Sequence, residues 1–153
     1  MTSPSPLRIG LLGTRGIGQM HLKAAQELEP LQVVAVADAS EALRKEVEEK
    51  FGIAKLYADY RELIEQEELD GVVITLPTFL HAESTLQCLD RGLHVLCEKP
   101  PTCNVGEMQA VARKVQETGL TYMFARQDRF TPTVQEARRR ILQGELGTLC
   151  GAQ

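Results

Sequence analysis

Short apolar runs alternate with amphipathic segments along most of this chain. The runs at 7–12, 32–38, 71–75, 94–98 and 120–125 have the length and the aliphatic content of strands. The segments between them carry apolar residues at spacings of three and four, which is typical of helices that lie on a sheet. Parallel strands need such crossovers, so the alternation predicts an α/β fold with a doubly wound parallel sheet and helices on both faces.

The pattern also predicts which residues the elements bury. In the first helix, Ile17, Met20, Ala24 and Leu28 are expected to face inward. The β-branched run 32–38 is expected to be a strand buried on both faces.

A change of character follows Phe130. One more helix is predicted from Pro132, with Val134, Ala137 and Ile141 turned inward. The short apolar run 148–150 is expected to begin a further strand.

Three closely spaced glycines join the first predicted strand to the first helix. The segment reads Gly13-Thr14-Arg15-Gly16-Ile17-Gly18, which fits the dinucleotide-binding pattern G-x-G-x-x-G at its first and last glycines and has Arg15 at the middle position. Such a turn collects backbone N–H groups and the positive end of a helix dipole, which suits a pyrophosphate. We therefore predict cofactor contacts from residues 13–18. Glycines that serve a tight turn alone are the alternative interpretation.

A carboxylate, Asp38, ends the second predicted strand 20 residues after Gly18. In a dinucleotide site a carboxylate at this point accepts hydrogen bonds from the adenosine ribose and repels a 2′-phosphate. The residues that follow, 39–41, include no Arg or Lys. NAD is therefore predicted as the cofactor, with NADP less favoured.

Glu98, Lys99 and Pro100 stand at the carboxyl end of another predicted strand, which is where ligands bind in open α/β sheets. A lysine fixed there can hydrogen-bond a substrate hydroxyl and take up proton density as hydride leaves the carbon. From these residues alone, a surface lysine in a proline-bounded turn is the alternative.

Composition narrows the functional classes. The chain has 153 residues, the size of one ordinary domain, with 43% hydrophobic and 25% charged residues. It contains no apolar run near the roughly 20 residues that cross a bilayer, so no membrane partner is expected. The net charge of −4 disfavours nucleic-acid binding. Residues 1–6 lack the features of a signal peptide and are interpreted as a flexible lead-in, so a cytoplasmic protein is expected.

No metal site or disulfide framework is expected. His21 and His94 have no partner at metal-ligand spacing and are interpreted as structural. The cysteines lack C-x-x-C spacing and are expected to be small buried hydrophobes: Cys88, Cys97, Cys103 and Cys150.

Taken together and in order, these motifs resemble the N-terminal half of the Gfo/Idh/MocA oxidoreductases, the family of glucose-fructose oxidoreductase and inositol 2-dehydrogenase. The resemblance rests on the glycine turn, on 34–38, on 70–77 with His81, on 92–100, and on Arg129-Phe130. It covers nearly the whole chain, and the ordered set is specific where each motif alone is not.

The resemblance implies a Rossmann-like fold and hydride transfer between NAD(P) and a sugar, polyol or similar hydroxyl compound. It implies that Lys99 is the catalytic lysine and also a cofactor-binding residue. It further implies that Glu98 and the loop Thr75-Leu76-Pro77 border the nicotinamide ribose. It places Gln127 near the nicotinamide and leaves His81 mainly as a helix-start residue.

The family organisation implies a dinucleotide-binding domain over 7–130, after the lead-in of 1–6. Residues 131–153 are expected to form a helix and the start of a strand leading to a C-terminal α+β domain that is missing here. In the family that domain completes the substrate pocket and supplies the interface of a homo-oligomer. Two alternatives remain at this point: a non-catalytic NAD-binding regulatory or interaction protein, and a truncated fragment without turnover.

Two positions depart from the family pattern. Arg15 replaces the middle glycine and is expected to supply a cation to the pyrophosphate, while Gly16 absorbs the altered turn. Pro101 stands where the family usually has an apolar residue, and it is expected to stiffen the lysine loop.

Overall fold

The structure, a computed structural model, describes residues 5–151. Six strands form one parallel sheet: β1 Leu7–Leu12, β2 Leu31–Ala37, β3 Leu56–Tyr57, β4 Gly71–Ile74, β5 His94–Cys97 and β6 Tyr122–Phe124. Their order is β3-β2-β1-β4-β5-β6. The predicted doubly wound parallel sheet is confirmed. Of the predicted lead-in, residues 1–4 lie outside the described residues.

Helices and two 3₁₀ turns connect or follow the strands. The helices are α1 Ile17–Gln26, α2 Glu41–Phe51, α3 Tyr60–Gln66, α4 His81–Asp90, α5 Val105–Thr118 and α6 Pro132–Leu142. The 3₁₀ turns are Thr78–Leu80 and Gln127–Phe130. Among residues 5–151, no helix is both long enough and apolar enough to cross a membrane.

The strand order places β1 and β4 side by side in the middle of the sheet. From β1 the chain winds outward to β2 and β3, and it then crosses to β4 and winds outward on the other side. The connections that leave the carboxyl ends of β1 and β4 therefore diverge. In open α/β sheets this switch point is where ligands bind.

The core has two layers because neighbouring strand residues point to opposite faces of the sheet. Leu11 belongs to the layer under α1 and α2, where it packs with Leu22, Val36 and Val47. Leu12 belongs to the layer under α3 to α5. That second layer is the larger of the two: Leu12, Ala35, Ala37, Tyr60, Leu63, Ile64, Val72, Ile74, Cys88, Leu89, Leu93, Val95 and Cys97.

The predicted inward face of α1 is wrong for most of its residues. Met20, Ala24 and Leu28 are exposed, whereas the buried residues of the helix are Gly18 and Leu22. The apolar face of α1 looks onto a part of the sheet that no described helix covers, beside β4, β5 and β6. An open groove of about 330 Å³ runs along that face.

Burial of β2 is also narrower than predicted. Only its last three residues, 35–37, are buried, whereas Leu31, Val33 and Val34 are partly buried and Gln32 is exposed.

In the last segment the predicted helix forms, but its predicted burial is wrong. Helix α6 forms from Pro132 as expected, but Val134, Ala137 and Ile141 are exposed, and the main contacts of the helix are with the preceding 3₁₀ turn. Residues 148–150 do not form a strand.

The cysteines divide into two pairs, so the expectation that all four are buried is wrong for two of them. Cys88 and Cys97 are buried, and burial raises the pKa of the Cys97 thiol to about 12. Cys103 and Cys150 are exposed because they lie in a loop and in the last described segment.

Candidate functional site

The glycine turn lies between β1 and α1, directly at the switch point. Gly13 has a positive φ of 92°, and a Cβ there would lie 2.8 Å from the carbonyl oxygen of Thr75. At Gly18 a Cβ would lie 2.4 Å from the carbonyl oxygen of Gly13. These two glycines allow the turn to pack directly against the end of β4 and the start of α1.

The start of α1 lacks a side-chain cap, as do the starts of α4 and α6. Its N-cap is Gly16, with no side-chain capping bond and no acidic residue in the first turn. By contrast, Ser40, Asp59 and Asn104 cap α2, α3 and α5. The first N–H groups of an uncapped helix carry partial positive charge. This helix start therefore fits an anionic group such as a pyrophosphate.

The middle position of the turn is held by an exposed arginine. Gly16 follows Arg15 and has a positive φ of 50°, and a Cβ at this position would meet open space. Gly16 therefore adopts the positive-φ backbone conformation that the turn needs after Arg15. The Arg15 side chain lines a groove together with Asp38. It thus lies beside the turn on the side of β2.

Asp38 follows β2 and is held by its neighbours. Its Oδ2 accepts the backbone N–H of Thr14 at 2.8 Å and the Thr14 hydroxyl at 2.9 Å, while Oδ1 accepts the N–H of Ser40 at 2.9 Å. Thr14 is fully buried, so it orients Asp38 rather than facing a groove. Each carboxylate oxygen accepts about two hydrogen bonds, which leaves capacity on Oδ1.

A cation near Asp38 was missed at the sequence level. Arg44 lies on α2, six residues after Asp38, and its Nη1 donates to the Asp38 carbonyl oxygen at 2.6 Å. The signal was present but indirect, since a side chain one turn into a helix points back toward the segment before it.

The loop after β4 is tied to the glycine turn. The Thr75 hydroxyl lies within hydrogen-bond distance of the carbonyl oxygens of Leu12 and Gly13. The Thr75 backbone N–H donates to the Leu12 carbonyl oxygen at 2.8 Å. Leu76 and Pro77 continue from there along the same groove as Asp38.

The lysine segment follows β5. Glu98 is buried, with 5% of its surface exposed, while Lys99 is exposed. One Glu98 oxygen lies 3.0 Å from Nε2 of His21, and the other accepts the Lys99 backbone N–H at 3.0 Å. His21 is interpreted from the sequence as a structural residue without a partner at metal-ligand spacing. The structure gives it a partner that lies 77 positions away, and no local pattern could reveal that contact.

His81 connects the loop after β4 to the lysine segment. It is the first residue of α4, as expected of a helix-start residue. In addition, its Nδ1 lies 2.7 Å from the Pro100 carbonyl oxygen and its Nε2 lies 2.7 Å from the Leu76 carbonyl oxygen. The ring is almost fully buried. It therefore links the two segments through their backbones.

Two grooves flank the glycine turn. The groove on the β2 side has about 470 Å³, and the predicted site residues that line it are Gly13, Arg15, Asp38, Thr75, Leu76 and Pro77. The groove on the β5 and β6 side has about 330 Å³, and its predicted residues are Ile17, Glu98 and Gln127. The remaining predicted residues line neither groove: Thr14, Gly16, Gly18 and Lys99. Within residues 5–151, no group of three or more His, Cys, Asp or Glu is arranged to hold a metal ion.

Residues 7–126 match the sequence profile of the Gfo/Idh/MocA proteins, described as an oxidoreductase family with an NAD-binding Rossmann fold. The chain belongs to the Gfo/Idh/MocA oxidoreductase family. The resemblance drawn from the motifs is thereby confirmed, as is an NAD(P)-binding Rossmann fold.

Relatives of known activity support the same membership. The chain is 37% identical over 143 residues to D-xylose 1-dehydrogenase (NADP(+)) 2 of Haloferax volcanii, covering 94% of this chain and 44% of that protein. It is 32% identical over 142 residues to scyllo-inositol 2-dehydrogenase (NAD(+)) of Bacillus subtilis, covering 92% of this chain and 42% of that protein. The chain therefore spans less than half the length of these relatives.

A solved structure has the same fold. Myo-inositol 2-dehydrogenase of Lactobacillus plantarum superposes with a TM-score of 0.91 at 22% identity, over 95% of this chain and 43% of that one. The family and the fold are thus established, while the roles of individual Gfo/Idh/MocA site residues in this chain stay predictions.

The closeness of Gly18 to Gly13 generates a test of the turn. In Gly18→Ala the added methyl would meet the Gly13 carbonyl oxygen, so we expect the free energy of unfolding to fall by about 1–3 kcal/mol, measured by urea denaturation. Gly151→Ala is the control, because a Cβ there meets open space. A Gly18→Ala protein as stable as the control would contradict the close packing of the turn.

Proposed function

We propose that this chain binds one nicotinamide dinucleotide across the glycine turn and forms the cofactor half of an oxidoreductase that acts on a sugar or polyol hydroxyl. The observation that carries the proposal is the uncapped start of α1 with a groove on either side. A dinucleotide matches this arrangement, because its two nucleoside halves are joined by a pyrophosphate.

The residues of each groove suit one half. On the β2 side, Asp38 offers free acceptor capacity on Oδ1 to a ribose hydroxyl, and Arg15 offers a cation to the pyrophosphate. On the β5 side, Glu98 and Gln127 offer polar groups in a groove that is otherwise largely apolar. This division supports the adenosine on the β2 side and the nicotinamide on the β5 side.

We propose NAD rather than NADP as the preferred cofactor. The carboxylate of Asp38 disfavours a 2′-phosphate at the ribose, and Arg44, the cation nearest to it in the hydrogen-bond network, is engaged with a backbone carbonyl. The two relatives do not decide the matter, since one is named for NADP(+) and the other for NAD(+).

Bound nicotinamide supplies a hydride acceptor or donor at its C4 atom. Lys99 supplies the proton chemistry: its Nζ hydrogen-bonds the substrate hydroxyl and takes up the hydroxyl proton during oxidation. No ion pair within residues 5–151 involves Lys99, so its amine is available for that contact. Glu98 and His81 keep the backbone on either side of Lys99 in place.

Cofactor binding is tested by titrating the chain with NADH and following nicotinamide fluorescence. We expect saturable binding that Asp38→Ala weakens about tenfold, which corresponds to about 1.4 kcal/mol, because the ribose loses its acceptor. Glu41→Ala is the matched control, since Glu41 carries the same charge three residues away and lines neither groove. Absence of binding at millimolar NADH would refute the proposal.

Hydride transfer is tested separately, by NADH formation from NAD⁺ with myo-inositol or D-xylose. We expect Lys99→Ala to lower the rate about 100-fold or more while NADH affinity stays unchanged, because Lys99 lines neither groove. Lys45→Ala, at an exposed lysine on α2, serves as the control. Equal rates with and without Lys99 would contradict its catalytic role. Because the proposed role is that of the cofactor half, absence of turnover by the unchanged chain would contradict activity of this half by itself and not its binding of NADH.

A further inference from the structure

Glu98 is a carboxylate placed almost wholly out of water at the end of β5. Its backbone N–H donates to the Ile74 carbonyl at 2.8 Å, which fixes its main chain beside β4. Burial of a carboxylate is costly unless hydrogen-bond donors meet its oxygens. The partners of those oxygens therefore decide how this side chain is oriented.

Two donors meet the Glu98 carboxylate, one at each oxygen. Oε2 accepts the N–H of Lys99, and Oε1 lies 3.0 Å from Nε2 of His21. An ionised carboxylate can only accept hydrogen bonds, so opposite an ionised Glu98 the contact uses the His21 tautomer with the proton on Nε2. Among residues 5–151, His21 provides the only side-chain hydrogen bond to the Glu98 carboxylate.

His21 reaches Glu98 from the helix that begins at the glycine turn. It lies on the first turns of α1, and the contact between Gly18 and Gly13 fixes that helix against β1. Since β4 lies between β1 and β5, the contact between His21 and Glu98 crosses the carboxyl end of β4. Both side chains form part of the wall of the groove on the β5 side.

We propose that His21 is a positioning residue for the lysine segment, an inference that rests on the proposed function. By binding Oε1 of Glu98, His21 maintains the hydrogen bond between Oε2 and the Lys99 N–H. It also keeps the carboxylate in the wall of the groove on the β5 side. His81 holds the Pro100 carbonyl on the other side of Lys99. Lys99 thus projects from a backbone held at both neighbouring residues.

Loss of the His21 donor has a specific consequence. Without it, the Glu98 carboxylate is buried with one oxygen unpaired, and the side chain borders an open groove where that oxygen can be solvated. The carboxylate then turns into that groove and leaves the Lys99 N–H. The nicotinamide half of the ligand loses its space, while the groove around Asp38, on the other side of the turn, is unchanged.

A purely structural role for His21 predicts a different result. If His21 only stabilised α1, its removal would disturb the glycine turn and weaken both halves of the ligand equally. Ligands with and without the nicotinamide therefore separate the two roles.

The experiment compares NADH with ADP-ribose, which lacks the nicotinamide, by fluorescence and calorimetric titration of the wild-type chain and of His21→Leu and His21→Gln. We expect His21→Leu to bind NADH about tenfold more weakly, as loss of a hydrogen bond to a charged group would give, and to bind ADP-ribose as the wild type does. His21→Gln places an amide N–H near the position of Nε2, so we expect it to restore NADH binding.

The outcomes separate the inference from the function on which it rests. If the wild type binds neither ligand, the proposed function fails. If the wild type binds both and His21→Leu leaves them unchanged or weakens both equally, only the role of His21 is overturned. Where circular dichroism shows that His21→Leu is unfolded, His21→Gln and the shorter His21→Asn decide: selective loss of NADH binding in His21→Asn alone supports the proposal, and identical behaviour of the two overturns it.

Discussion

The close backbone contact between the glycine turn and the end of β4 is the constraint on which the rest of the site depends. Gly13 lies against the Thr75 carbonyl, and the Thr75 side chain reaches back to the turn. Because no larger residue fits there, the chain enters α1 directly at the switch point. The start of α1 is left without a side-chain cap between two grooves. A nicotinamide dinucleotide matches this arrangement, because a pyrophosphate joins its two nucleoside halves.

Polar groups around this turn are held largely by backbone partners. Asp38 accepts from the N–H groups of Thr14 and Ser40, Glu98 accepts from that of Lys99, and the His81 ring meets two carbonyl oxygens. These backbone partners directly follow strands of the packed sheet, so the polar atoms are oriented before any ligand arrives. Residues far apart in sequence thereby meet around the glycine turn.

The strands and the order of elements could be predicted from the sequence, since apolar periodicity records which element forms. Periodicity does not record what covers an element, and the faces of α1 and α6 were therefore mispredicted at Met20 and Val134, which are exposed. The positions of Gly13, Asp38 and Lys99 at the carboxyl ends of strands followed from parallel topology. The contacts of His21 and His81 did not, because they join a helix residue to the segment after β5 and leave no spacing in the sequence.

The central claim is that one dinucleotide occupies both grooves at once, across the start of α1. The most direct measurement is a titration of the ¹⁵N-labelled chain with NADH and with AMP, followed by amide chemical shifts. The account predicts that NADH shifts amides at Gly16, at Asp38 and at both Glu98 and Gln127, whereas AMP leaves Glu98 and Gln127 unchanged. The account would be contradicted if NADH shifted amides on the Asp38 side alone, or if the shifted amides lay away from the glycine turn.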